Sequence, residues 1–153
     1  MPIAGSYDIL VVGAGPAGSS AARAAAQKGA TVLMVDRRQR IGVPVQCAEF
    51  VPQTISRYVS FSTKCIAQTV ETMITHLPDQ LSCEMKSPGF MLDRSLFDKE
   101  LAASAVLSGA KISMGTRAVE FSPEGVVIDR GTKHEWVRAK VIIGADGVRS
   151  SVA

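Results

Sequence analysis

Apolar residues in this chain fall into short runs bounded by glycine, separated by two amphipathic stretches. Ile9-Leu10-Val11-Val12 reads as a strand buried on both faces. Ser19 to Gly29 follows as a helix whose Ala21, Ala22, Ala24, Ala25 and Ala26 are small enough for close packing on a sheet. Gly29 supplies its C-terminal stop, and Thr31-Val32-Leu33-Met34-Val35 reads as a second buried strand. A second helix is expected after Asp93, its cap, with Phe97, Leu101 and Ala105 stacked at i, i+4 and i+8. Ala102, Val106, Ser104 and Ser108 widen that face, and Gly109 ends the helix.

Gly109-Ala110-Lys111-Ile112-Ser113-Met114 echoes Gly29-Ala30-Thr31-Val32-Leu33-Met34, as two parallel strands each entered from a helix would. Ala118 to Phe121, Gly125 to Ile128 and His134 to Arg138 read as an antiparallel meander, and Lys140-Val141-Ile142-Ile143 as one more buried strand. The expected sheet therefore holds parallel strands near 8–12, 31–35, 111–114 and 140–143. The first is central, and the meander lies across the sheet from the first helix. Between Arg37 and Leu92 the pattern is irregular. A short helix is expected over Val51 to Val59, β-like stretches at Val70 to His76 and Leu81 to Lys86, a turn at Ser87-Pro88-Gly89 and a short strand at Phe90 to Leu92. The reading is one domain over 1–153, with an inserted segment at about 37–92.

The joint between first strand and first helix carries chemistry. Gly13-Ala14-Gly15-Pro16-Ala17-Gly18 has the GxGxxG spacing of a dinucleotide site. Gly13 permits the tight turn, Gly15 lets a pyrophosphate approach the backbone, and Gly18 lets the helix sit close to the sheet. Pro16 suits a first-turn position, and the helix amides and dipole favour phosphate. Asp36, directly after the second strand, stands where a carboxylate accepts hydrogen bonds from a ribose. Arg94 is a cation in the first turn of a helix, opposing the dipole by roughly 0.3–1 kcal/mol, and a nearby anion would offset that. Pairing with Asp98 is the structural alternative.

Composition narrows the picture a little. The 153 residues are 46% hydrophobic and 20% charged, with a net charge of +3, so a full core is within reach and a nucleic-acid partner is not expected. Arg37, Arg38 and Arg40 read as a solvated loop, with one phosphate contact allowed for. Cys47, Cys65 and Cys83 lack CxxC spacing and suit free thiols in a reducing compartment. Two histidines, His76 and His134, offer neither a metal cluster nor a triad. No run approaches the ~18 residues of a membrane span, and no signal core is visible. The expected location is cytoplasmic, with peripheral membrane contact left open.

Taken together, these blocks resemble the geranylgeranyl reductase family of FAD-dependent oxidoreductases, which have the p-hydroxybenzoate hydroxylase type of fold. The resemblance rests on Val12 to Ala22, Asp36-Arg37, Gly42-Val43-Pro44-Val45-Gln46-Cys47-Ala48-Glu49, Asp93-Arg94-Ser95-Leu96-Phe97-Asp98 and Ile142-Ile143-Gly144-Ala145-Asp146-Gly147. It implies an α/β, Rossmann-like FAD-binding sheet with an antiparallel meander and an inserted excursion. It also implies a flavin that reduces isoprenoid C=C bonds, with NAD(P)H or a reduced ferredoxin as electron donor. Arg37, Arg94, Asp146 and Gly147 become FAD contacts, and Ala118 and Val119 offer backbone groups to the adenine. Cys47 is placed near the flavin ring, although a buried apolar role is the ordinary one for a free thiol.

The family's later Gly-Asp motif and the antiparallel sheet of its substrate cavity have no counterpart here. The fold is therefore expected to be incomplete relative to the family, with self-association through an open sheet edge at Lys140 to Ile143. The other readings are a flavin-dependent aromatic hydroxylase or monooxygenase, an electron-transfer flavoprotein dehydrogenase, and a nucleotide-binding fragment without turnover.

Overall fold

A computed structural model describes residues 5–152. In chain order the elements are β1 (Gly5–Val12), α1 (Pro16–Gln27), β2 (Val32–Asp36), β3 (Phe50–Pro52), β4 (Ile66–His76), β5 (Ser82–Leu92), α2 (Arg94–Leu107), β6 (Lys111–Met114), β7 (Arg117–Ser122), β8 (Gly125–Asp129) and β9 (His134–Gly144). They form two compact units. One comprises the residues up to Val43 and those from Asp98 onward, and the other is Pro44–Phe97.

The first unit is a six-stranded sheet in the order β6-β2-β1-β9-β8-β7. β6, β2, β1 and β9 run parallel, and β8 and β7 extend the sheet antiparallel from β9. The central strands are buried on both faces. Leu10, Val11, Leu33, Met34 and Val35 are fully enclosed, as continuous apolar strands of a parallel sheet should be. Alternation along each strand splits them between two cores. Leu10, Val12, Leu33 and Val35 pack with Ala118, Val126, Ile128 and Val137 of the meander. Val11, Val32 and Met34 pack with Ala22 of α1 and with Ala102 and Ala105 of α2. The meander thus covers the face opposite α1.

Both helices of this unit stop in the same way. The N–H of Ala30 reaches the carbonyl of Ala25 at 3.2 Å, and that of Ala110 reaches Ala105 at 3.1 Å. Gly29 and Gly109, at φ 86 and 108, complete the two matching left-handed caps. The sequence echo at 29–34 and 109–114 is therefore a shared helix-to-strand joint. Val106 departs from expectation and turns outward, with 43% of its surface exposed.

β9 departs further. The stretches expected as separate strands at 134–138 and 140–143 are one, because Ala139 between them is buried and no turn residue interrupts them. Its first half pairs with β8, and from Val137 onward it pairs with β1. At the opposite edge of the sheet from the glycine turn, Asp8 ties three strands together. Its carboxylate accepts the Thr31 N–H at 2.8 Å, the Thr31 hydroxyl at 2.7 Å and the Lys140 ammonium at 2.7 Å.

The second unit is a three-stranded antiparallel sheet in the order β3-β5-β4. Cys65 and Leu92 are fully buried, and Phe61 stacks edge-on against Phe90 and Phe97 at 6.2 and 5.1 Å. Ser87-Pro88-Gly89 is strand here, not turn. Glu71 on β4 faces two residues, Ser87 and Pro88, in a bulge where proline's missing N–H costs no ladder bond. Residues 53–57, expected as helix, form a single 3₁₀ turn after β3. Beyond the bulge the β4–β5 hairpin exposes Met73, Leu77, Leu81 and Met85.

The Asp8 tie yields a pH test. Lys140 first, then Thr31, holds the Asp8 carboxyl well below the usual carboxylate range, and the same contact raises Lys140 above 10.5. Folded Asp8 keeps its charge longer than unfolded Asp8, which titrates near 3.8. The contribution is therefore complete above that value and is lost as pH falls further. Asp8→Asn is expected to lower the melting temperature at neutral pH, with the gap to the parent chain narrowing below pH 3.8. A gap that stays constant through the acid range would show that the charge contributes nothing.

Candidate functional site

At the C-terminal ends of β1, β2 and β9 the first unit opens a cleft of about 410 Å³. This is the edge at which open α/β sheets bind ligands. The glycine turn lies in the middle, the end of β2 on one side and the end of β9 on the other.

Each glycine of the turn answers a different neighbour. Gly13 sits at φ 106, and a Cβ there would overlap the carbonyl of Ala145, just after β9. A Cβ on Gly18 would overlap the carbonyl of Gly13 and press on Ala145. Gly15 is different. Its φ of −74 and ψ of −175 suit any residue, and a Cβ there would meet nothing within 4 Å. Protein packing explains Gly13 and Gly18. Only the open space of the cleft explains Gly15. Pro16 follows at the first helical position.

Asp36 ends β2 with both carboxylate oxygens engaged, accepting the N–H of Ala14 at 2.8 Å and of Arg38 at 2.8 Å. The turn after β6 is fastened alongside. Thr116 donates its N–H to the Asp36 carbonyl and Gly115 donates to that of Arg38, each at 2.8 Å. Across the cleft, Asp146 accepts the Ser150 hydroxyl at 2.7 Å, the Ser151 N–H at 2.6 Å and the Ser151 hydroxyl at 3.0 Å. Burial works against its charge, but these three donors outweigh burial and hold the carboxyl below its ordinary range.

Gly13, Gly15, Pro16, Ala17, Asp36, Arg37, Ala118, Asp146 and Gly147 all line this one cleft. Gly18 stands behind it, under the turn. Val119 is the extra residue of a β-bulge between Ala118 and Glu120, with no partner on β8. Arg94 and Cys47 belong to the second unit. The Arg94 guanidinium lies 5.9 Å from the Phe97 ring centre, and the exposed Cys47 sulfur accepts the Glu49 N–H at 3.4 Å. Sequence reading left Arg38 in a solvated loop and missed Thr116, Arg117 and Arg149; all four also line the cleft. For Arg117 and Arg149 the signal was adjacency to Ala118 and to Asp146-Gly147.

The three glycines should separate on substitution. Gly13→Ala and Gly18→Ala are expected to cost about 1–3 kcal/mol through overpacking, lowering the melting temperature by several degrees. Gly15→Ala should melt with the parent chain, and a comparable loss there would contradict the open space seen beside it.

Comparison with known proteins agrees with this geometry. The FAD dependent oxidoreductase family matches residues 8–148. A digeranylgeranylglycerophospholipid reductase of Methanosarcina acetivorans is 39% identical over 95% of this chain. An uncharacterized protein in the nifH2 5′ region of Methanosarcina barkeri is 38% identical, and the match covers 97% of this chain and 86% of that protein. The crystal structure of a geranylgeranyl bacteriochlorophyll reductase-like protein from Thermoplasma acidophilum superposes with a TM-score of 0.86 at 34% identity, over 93% of this chain and 39% of that one. The chain spans 39% of the length of the Methanosarcina acetivorans reductase. With its glycine turn, its paired acids and a family match running through both, the chain belongs to the FAD-dependent oxidoreductases.

Proposed function

We propose that this chain is the flavin-holding part of a reductase that saturates C=C bonds in lipid-like isoprenoid substrates. The observation that carries the reading is Gly15. At that position the fold leaves space that no protein atom fills, at the N-terminus of α1, inside a cleft whose walls are Asp36 and Asp146. The amides of α1's first turn would face the pyrophosphate, and Asp36, already oriented by two backbone amides, would accept from the ribose hydroxyls. Val119, out of register with β8, is free to present its backbone to the adenine beside Ala118. Asp146-Gly147 would stand toward the ribityl side. When bound, the flavin supplies the hydride chemistry.

The isoprenoid substrate is supported by a relative named digeranylgeranylglycerophospholipid reductase, at 39% identity, and by a solved structure named geranylgeranyl bacteriochlorophyll reductase-like, at 34%. That favours the reductase reading over the hydroxylase one. Cys47, exposed in its loop, and Arg94, at the head of α2, are proposed to act beside the flavin ring and on an anionic group of the ligand respectively. NAD(P)H or a reduced ferredoxin would supply the electrons. Among the described residues, no helix is long and apolar enough to cross a membrane. Beyond Arg138, β9 has left β8 and, among the described residues, carries no strand on that side, with Val141 half exposed. A further strand, from a second copy or another polypeptide, is proposed to pair there.

The test is spectroscopic. Purified chain reconstituted with FAD and passed through gel filtration should retain a flavin absorbance band, and Gly15→Asp should abolish it by setting a carboxylate against the pyrophosphate. Asp36→Ala should weaken binding by about 1–3 kcal/mol. Full flavin retention by Gly15→Asp would overturn the phosphate-cradle reading.

A further inference from the structure

Four arginines, Arg37, Arg38, Arg117 and Arg149, line the cleft together with two carboxylates, Asp36 and Asp146. Among the described residues, neither acid forms an ion pair with these guanidiniums. Asp36 accepts from the amides of Ala14 and Arg38, and Asp146 from Ser150 and Ser151. Among the described residues, none of the four guanidiniums makes a side-chain hydrogen bond or ion pair. Like charges gathered around one cleft and left unpaired repel each other, and the fold gains nothing from them. The excess is also lopsided. Three arginines stand with Asp36 on the β2 side, and Arg149 alone stands with Asp146.

Two of the three are held on fixed backbone. Arg38 donates its N–H to Asp36 and accepts at its carbonyl from Gly115, while Thr116, the neighbour of Arg117, donates to the Asp36 carbonyl, each at 2.8 Å. Gly115 makes this zipper possible. At φ 63 it has no Cβ, and the Gln39 amide lies 2.6 Å from where that atom would be. Residues 36–39 and 115–117 therefore behave as one piece, with a guanidinium leaving each strand of it.

We propose that Arg38 and Arg117 form a two-armed clamp on the anionic ADP portion of the ligand, so that the cleft recognises an ADP group as such. The inference rests on the FAD reading above and names the residues that fix one end of that ligand. Planar guanidiniums suit it, since they pair bidentately with phosphate.

The experiment is calorimetric titration of the chain with FAD and ADP, and saturation-transfer NMR with adenosine, on the parent and on Arg38→Ala, Arg117→Ala and Arg117→Lys. Melting curves confirm that each variant is folded. The clamp predicts that ADP binds the parent within a few-fold of FAD. Each alanine variant should lose about ten- to a hundredfold for both ligands alike, keep its adenosine signal and respond less to added salt. Arg117→Lys should recover part of the loss, since it keeps charge without the fork. Alanine variants that bind ADP like the parent, or that lose adenosine as fully as ADP, would overturn the clamp. Failure of the parent itself to bind either FAD or ADP would instead overturn the nucleotide reading beneath it.

Discussion

The site depends on how closely three stretches of backbone approach one another at the end of β1. Gly13 and Gly18 lack the side-chain atoms that would otherwise strike the Ala145 and Gly13 carbonyls. Because they do, the N–H of Gly13 reaches Val35 at 2.8 Å and the N–H of Ala145 reaches Val12 at 2.8 Å. The ends of β2, β1 and β9 are laced side by side as a result. Asp36 and Asp146 then stand on opposite flanks of the turn without any further device. A methyl group at either glycine would push apart the strands that carry the two acids.

Acidic residues in this unit share a habit that shapes its electrostatics. Asp8, Asp36 and Asp146 each accept a backbone N–H from a neighbouring segment, so they act first as fasteners for loops. Near the cleft, that use of carboxylates leaves Arg37, Arg38, Arg117 and Arg149 without a side-chain partner among the described residues. Positive charge is therefore in local excess where the α1 dipole is also positive, and a protein of only slight net charge acquires a cleft that favours anions.

Much of this was legible in the chain because the deciding residues are local. Glycine spacing, the alanine helix, the capped start of α2 and the two Gly-Ala joints each specify their element from a few neighbours, and the parallel sheet follows from them. Gly15 could be read as a ligand position because its spacing is fixed by its companions. What was not legible depended on distant partners. Ser87-Pro88-Gly89 has turn chemistry, yet it stays extended because Glu71 across the ladder accepts a bulge. The break expected before Lys140 vanishes because Ala139 fits a core shared with β1. Arg117 and Arg149 lie far apart in the chain, and only folding brings them to one cleft.

The double role of β9 bears on the order in which the molecule is made. β1 can pair with β2 as soon as some thirty residues exist, since Ile9 faces Val32. Its other neighbour, beginning at Val137, is more than a hundred residues away. At ordinary synthesis rates of about 5–20 residues per second, the apolar edge of β1 waits on the order of ten seconds for that partner. The central sheet therefore closes late, by a long-range pairing of the kind that slows folding. Until then the glycine turn lacks the Ala145 wall it was shaped to meet, so nucleotide capture by a nascent chain waits until that residue has been made.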